Sequence, residues 1–304
     1  MSRLPGGRRL WFWFLVVVSG GSWGLFFSLA KLAGEDGHHP IGLTIWQGVG
    51  GGILLLSIAL VRRYKLPLHP RAIGFYAICS VFGTALPTCM IFYVAPNLGA
   101  GFLAISMALV PLMSYGGAIV LKIDKTAAVR LAGLLLGFVA IVMLMIPQMG
   151  AEGGIALLWA LLALLVPTSF SIENLLLALR APVGVHPIAL VGAFQLGGAL
   201  LLLPFALATG TFMDITGTWG QAHWISIAML SINALSYTVF LHVLQHTGPV
   251  FAAQSTYVTT VTGVFWGMVL FGESHSLWIW IALVVLLAGM ALVQERRVVR
   301  TPAG

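Results

Sequence analysis

Hydrophobic positions along the chain fall into ten long runs separated by short polar or charged punctuation. They cover residues 10–33, 40–62, 71–94, 97–121, 127–147, 154–177, 186–208, 223–245, 250–271 and 276–294. A helix needs about 20 apolar residues to cross a bilayer, and hydrocarbon offers an open backbone no hydrogen-bond partner, so each run predicts a membrane-spanning helix. The pattern also repeats. Residues 39–60, HPIGLTIWQGVGGGILLLSIAL, return at 186–207 as HPIALVGAFQLGGALLLLPFAL, with 11 of 22 positions identical, among them His-Pro-Ile and a Gly-Gly pair. At an offset of 149, Gly99, Phe102, Ala104 and Ser106 match Gly248, Phe251, Ala253 and Ser255, and Asp124 matches Glu273. Spans 1–5 and 6–10 therefore read as two copies of one five-helix unit, residues 10–147 and 154–294, with tails 1–9 and 295–304. An odd span number makes the copies point oppositely across the bilayer. The predicted fold class is an all-α polytopic membrane protein with two inverted-topology five-helix repeats, a geometry associated with alternating access.

Composition supports lipid as the main solvent. Of 304 residues 60% are hydrophobic and 8% charged, with a mean hydropathy of +1.02, against about 25% charge in a soluble domain. Fourteen of the 15 Lys and Arg residues fall on one side if the spans alternate: Arg3, Arg8, Arg9, Arg62, Arg63, Lys65, Arg71, Lys122, Lys125, Arg130, Arg180, Arg296, Arg297 and Arg300. Lys31 alone lies on the other, beside Glu35 and Asp36. The positive-inside rule puts that basic side, and both termini, in the cytoplasm. The net charge of +7 is that rim, and no basic stripe with interleaved aromatics marks a nucleic-acid partner. Span 1 is longer than a signal-peptide core and is expected to be retained. Cys79 and Cys89 share span 3 about 15 Å apart, too far for a disulfide. The chain has no phosphate-binding P-loop and no nucleophile elbow, and no cofactor is expected.

Polar groups and helix breakers inside the spans mark the candidate site. Gly20 of span 1 matches Pro167 of span 6 at an offset of 147. Gly20-Gly21 and Pro167 are therefore a matched pair of expected helix breaks, with Pro87 and Pro111 at similar depth. Span 9 is the most polar, with Gln254, Ser255, Thr256, Tyr257, Thr259, Thr260 and Thr262 in nine residues. Its Ala252, Thr256, Thr260, Gly263 and Gly267 form a small-residue ridge suited to close packing. Span 8 contributes Asn233 and Tyr237, and span 6 Thr168, Ser169, Glu173 and Asn174. The first copy adds Trp23, Thr88, Tyr93, Ser106, Ser114 and Tyr115. A cavity lined this way suits an aromatic or amphipathic solute, zwitterionic or weakly charged, better than a bare ion. Glu173 is the only carboxylate inside a predicted span, about two turns from Arg180. It either serves a cationic substrate or a coupling proton, or is a rim group paired with Arg180. His242 and His246 share a helix face, but no third metal ligand is specified, so no metal site is assigned. Spans 2 and 7 look apolar, and their Gly50-Gly51 and Gly197-Gly198 pairs read as packing surfaces.

Ser22-Trp23-Gly24 resembles the start, Ala95 to Gly101 running on to Pro111 the fourth-helix signature, and Leu270-Phe271-Gly272-Glu273 followed by Gly289 the closing motif of EamA-type transporters of the drug/metabolite superfamily. Two departures stand out: Asp124 replaces the usual Glu of the first copy, and Thr259-Thr260 stands where the second often has Glu-Pro. The resemblance implies a secondary transporter, commonly an exporter, with spans 1, 3, 4, 6, 8 and 9 lining the cavity. It implies a small-molecule solute and the bilayer as partners, and with Glu173 points to protons as coupling ion. Two other readings are a multispan enzyme using the histidines and a non-transporting sensor or structural membrane protein.

Overall fold

A computed structural model describes residues 6–149 and 154–294; Arg3, Arg296, Arg297 and Arg300 lie outside them. Among the described residues the chain is helical throughout, in ten spans. These are Gly6–Glu35, Pro40–Val61, Pro70–Asn97, Ala100–Val120, Ala128–Met149, Ile155–Arg180, Pro187–Thr209, Gln221–Thr247, then Pro249–Ala252 with Gln254–Phe271 as span 9, and Leu277–Gln294. The first eight are long and apolar enough to cross a membrane by length and composition. The ninth carries the polar cluster seen in the sequence, and the tenth is short.

The repeated His-Pro-Ile is a helix-starting device. His39 and His186 are N-caps whose Nδ1 accepts the Ile41 and Ile188 N–H, each at 3.3 Å, with proline at the next position. Proline fits there because its missing N–H would have no intrahelical partner. His69-Pro70 starts span 3 the same way, its Nδ1 accepting from Ala72 N–H at 3.2 Å. Burial holds the His186 imidazole below its ordinary pKa, and its ring lies flat on Tyr64 at 3.7 Å. The neutral ring is the form able to accept the cap bond.

Related spans pack on each other. Span 2 lies along span 7, span 5 along span 10, and span 1 between spans 8 and 9. Small residues permit these approaches, since lipid tails supply no hydrophobic drive between helices and contact must come from close backbones. Gly133 and Gly289 face each other, each meeting the other's carbonyl. Gly51 leaves room for the Gln195 amide, and Gly197 and Gly198 receive Ser80 and Thr84 of span 3.

Four spans are interrupted. Span 3 has a π turn at Val81–Ala85, immediately before Pro87. Spans 4 and 6 break at Ala108 and Leu164, in each case three residues before a proline, Pro111 and Pro167. Proline removes one ladder bond and pushes against the preceding turn. Thr168 and Ser171 add bonds beside the break in span 6: their hydroxyls donate to Leu164 O and Pro167 O at 2.7 Å, and Ser171 also reaches Val110 O of span 4 at 3.0 Å. Span 9 breaks at Ala253, without a proline at the break. The break expected at Gly20-Gly21 does not exist: span 1 is one continuous helix. Those glycines admit span 9 instead. The Gly20 and Gly21 carbonyls accept from Thr262 Oγ1 and Trp266 Nε1 at 3.4 and 3.2 Å.

Gly24 tests the packing. A Cβ there would meet Thr262 Oγ1, the Gly263 N–H and the Thr259 carbonyl, two of them backbone, whereas one at Gly21 meets only Thr262 Cγ2 at 4.0 Å. Gly24→Ala is expected to destabilise by about 1–3 kcal/mol through overpacking. Gly21→Ala should be neutral or gain up to about 1 kcal/mol of helix propensity. Apparent melting temperatures of the purified variants check the contrast.

Candidate substrate cavity

A cavity of about 500 Å³ lies where the two five-helix units meet. Span 1 contributes Trp23 and Phe26, span 3 Gly83, Thr84 and Thr88, span 6 Phe170 and Glu173, span 8 Asn233, Tyr237 and Phe240, and span 9 Thr256 and Thr259. One wall is an aromatic cluster. Trp23 donates its indole N–H to Asn233 Oδ1 at 3.2 Å, meets Tyr237 edge-on at 5.2 Å between centroids, and lies 5.5 Å from Phe240. Residues 233, 237 and 240 share a face of span 8 because helical neighbours stand three or four apart.

The π turn of span 3 seats the carboxylate. Glu173 lies against the bare Cα of Gly83, where any Cβ would collide with its carboxyl group. Among the described residues Glu173 makes no ion pair with Arg180 or any other base, so the rim pairing weighed for it is not what the structure contains. Tyr237 lies within electrostatic reach of it.

Spans 2 and 7 are not purely scaffold, which corrects the apolar reading of them. Gln47 and Gln195 both line the cavity. Gln47 Nε2 donates to Ser226 O at 2.8 Å, and Gln195 Oε1 is buried without a partner. The signal was present in the sequence as two mid-span amides near corresponding positions of the repeat. Phe170 and Phe240 carry no such signal, being phenylalanines in a phenylalanine-rich chain.

A vestibule of about 1540 Å³, lined in part by Lys125 and Arg130, adjoins this cavity, and Pro111 and Asn174 line both spaces. Ser114, Tyr115, Gln254 and Tyr257 belong to the vestibule. Tyr115 is mainly a clamp. Its ring lies 3.8 Å under the Arg130 guanidinium, and its hydroxyl accepts from Ala127 N–H at 3.4 Å. Arg130 in turn donates to Asp124 at 2.9 Å.

Three predicted site residues line neither space. Tyr93 is 46% exposed and edge-on to Trp159 on the outer surface of the bundle. Ser106 is buried and bonds to Leu103 O at 2.7 Å, and Ser169 is buried. His242 and His246 stack on Phe12 at 6.2 and 6.0 Å, and among the described residues no third metal-ligating side chain joins them.

The face opposite the vestibule is shut by ionic and capping contacts. Glu273, just past span 9, accepts the Ala100 and Gly101 N–H groups at the start of span 4 at 2.7 and 3.2 Å. Lys31 of span 1 reaches the same carboxylate at 3.3 Å and lies 4.4 Å from the Phe271 ring centre. Thus the one basic residue set apart by the charge pattern closes this end. Asp36 accepts the Ala222 N–H at the start of span 8 at 2.9 Å. The 210–220 loop packs over Trp46, whose indole donates to Met213 O at 2.9 Å. In that loop two hydrogen bonds from Thr216 hold the Asp214 carboxyl below its ordinary pKa.

Two five-helix units around a solute-sized cavity, with a vestibule beside it at one end and ionic contacts at the other, define a multi-pass membrane protein of transporter architecture. The model of the EamA-like transporter family matches residues 10–146 and 157–294, and the chain belongs to that family. Among 15 matching chains of solved structures, one titled "Crystal structure of protein" has a TM-score of 0.59 at 19% identity. The match covers 91% of this chain and 95% of that one, a likeness of fold. A search of curated proteins returned no match.

Removing the Glu273 carboxylate leaves a nearly buried ammonium and two helix-end N–H groups without an acceptor. Glu273→Ala is expected to cost about 2–4 kcal/mol, and less in a Lys31→Met background. Melting temperatures of the two single variants and the double variant measure this coupling.

Proposed function

We propose that the protein is a secondary active transporter that moves a small solute across the cell inner membrane by alternating access, in the direction of export. In this reading residues 10–147 and 154–294 are inverted copies, both termini are cytoplasmic by the positive-inside rule, and the vestibule faces the cytoplasm. The observation that carries the proposal is the cavity between the copies, adjoined by a vestibule at the basic end, with the Glu273 contacts at the other end. A site at the repeat interface, reached from one side at a time, is what alternating access requires. The interrupted spans 3, 4, 6 and 9 supply the irregular backbone, which a membrane tolerates where it lines a cavity. Glu173 is the proposed coupling group, because among the described residues it is the one carboxylate lining the cavity and has no basic partner.

The test is counterflow in proteoliposomes, using a solute first found by its stabilisation of the purified protein. Wild-type protein should exchange it and respond to an imposed pH gradient, and Glu173→Gln should lose that response. Counterflow indifferent to both would exclude proton coupling. Binding without any flux would support the sensor reading.

A further inference from the structure

Resting on the transport reading, we infer that the solute is an organic ammonium ion with an apolar or aromatic body, its cationic head held by the Glu173 carboxylate. Charge is the first ground. Among the described residues no lysine, arginine or histidine lines the inner cavity, and Glu173 is its one carboxylate. A carboxylate facing a low-dielectric space without a counter-ion attracts a cation and repels an anion strongly, because little water screens it.

Hydrogen-bonding capacity is the second ground and is independent of the first. The cavity's N–H groups are largely engaged: the Trp23 indole on Asn233, the Gln47 amide on Ser226 O, the Asn174 amide on Ser114. Thr259 donates to Ser255 O. The two Glu173 oxygens remain as acceptors, and the Tyr237, Thr88 and Thr256 hydroxyls as neutral donors. A solute carboxylate would find neutral donors only, with the Glu173 charge in the same space repelling it. An ammonium arrives with donors only and finds acceptors.

Shape is the third. The Trp23, Tyr237 and Phe240 rings give one wall a face that binds both hydrocarbon and cationic groups. A volume of about 500 Å³ falls in the range of small-molecule sites, roughly 300–1,000 Å³. The approach is passable for a cation. Of the vestibule's two basic residues Arg130 is paired with Asp124 at 2.9 Å, which leaves the single charge of Lys125, and Ser114, Asn174, Gln254 and Tyr257 are uncharged. This narrows the solute range read from sequence, since a zwitterion's carboxylate has no basic partner in the inner cavity.

Binding of four probes of one size separates the possibilities: phenethylammonium, 2-phenylethanol, 3-phenylpropionate and phenylalanine, each titrated against purified protein by calorimetry and thermal shift. Phenethylammonium should bind and stabilise, and the other three should bind at least roughly tenfold more weakly, the scale of one unmade charged contact. Glu173→Gln, nearly isosteric, should lose that preference. Gly83→Ala, which displaces the carboxylate, should weaken ammonium binding while Glu173 remains. Equal or tighter binding of 3-phenylpropionate or phenylalanine, or an ammonium preference surviving Glu173→Gln, would overturn the inference. If proteoliposomes exchange some other solute while ammonium ions fail to bind, the substrate class is wrong and transport stands. If phenethylammonium binds through Glu173 but is never exchanged, the site stands and transport falls.

Discussion

Hydrocarbon supplies no hydrogen bonds, and most of this structure derives from that constraint. A helix in lipid must satisfy its own backbone, so wherever the ladder is interrupted the protein has to complete it. The interruptions at Val81–Ala85, Ala108, Leu164 and Ala253 occur in spans 3, 4, 6 and 9, which contribute to the central spaces. At one of them Thr168 and Ser171 add hydroxyl bonds to the backbone, and Ser171 ties it to span 4. Spans 5 and 10, which give only end residues to the vestibule and none to the inner cavity, are continuous and meet through Gly133 and Gly289. Irregularity and polarity thus collect in the same place for one reason.

The two copies solve the same terminal problem differently. Glu273 and Asp124 occupy matching positions after spans 9 and 4. Glu273 reaches across to the start of span 4 and takes Lys31 as well. Asp124, one methylene shorter, takes Arg130 six residues on. The start of span 9 that would correspond to Ala100-Gly101 is Pro249-Val250, and proline has no N–H to offer. A carboxylate that locks one face therefore has a shorter counterpart and a poorer target at the other. This difference in chemistry agrees with a bundle that is shut at the Glu273 end and open at the Asp124 end.

The spans and the repeat were legible in the sequence because length and hydropathy are properties of whole segments, and averaging over about 20 positions hides individual ambiguities. Single positions were legible only where the residue type is costly in lipid, as for Glu173, Asn233 and Tyr237. Tyr93 and Ser106 misled for physical reasons. A tyrosine tolerates the bundle surface with an aromatic neighbour, and a serine satisfies itself on its own helix. Gly20-Gly21 looked like a break, but glycine only permits one; here it permits a close neighbour. Gln47 and Gln195 went unread because the glycines beside them drew spans 2 and 7 into the scaffold.

Those glycines reach the site after all. Gly197 and Gly198 of span 7 give space to Ser80 and Thr84, the residues flanking and within the π turn of span 3. A π turn adds a residue to one turn and re-aims the helix beyond it, and here it brings Gly83 to face span 6. Gly83 in turn leaves the gap that Glu173 fills. Position of the carboxylate therefore depends on a chain of contacts that begins in the repeated segment, each link a missing side chain that admits a neighbour. Because every link is steric, the seat is held with no ion pair to Glu173 among the described residues. That leaves its charge uncompensated and directed at the cavity, which a salt-bridged carboxylate in the same place would not be.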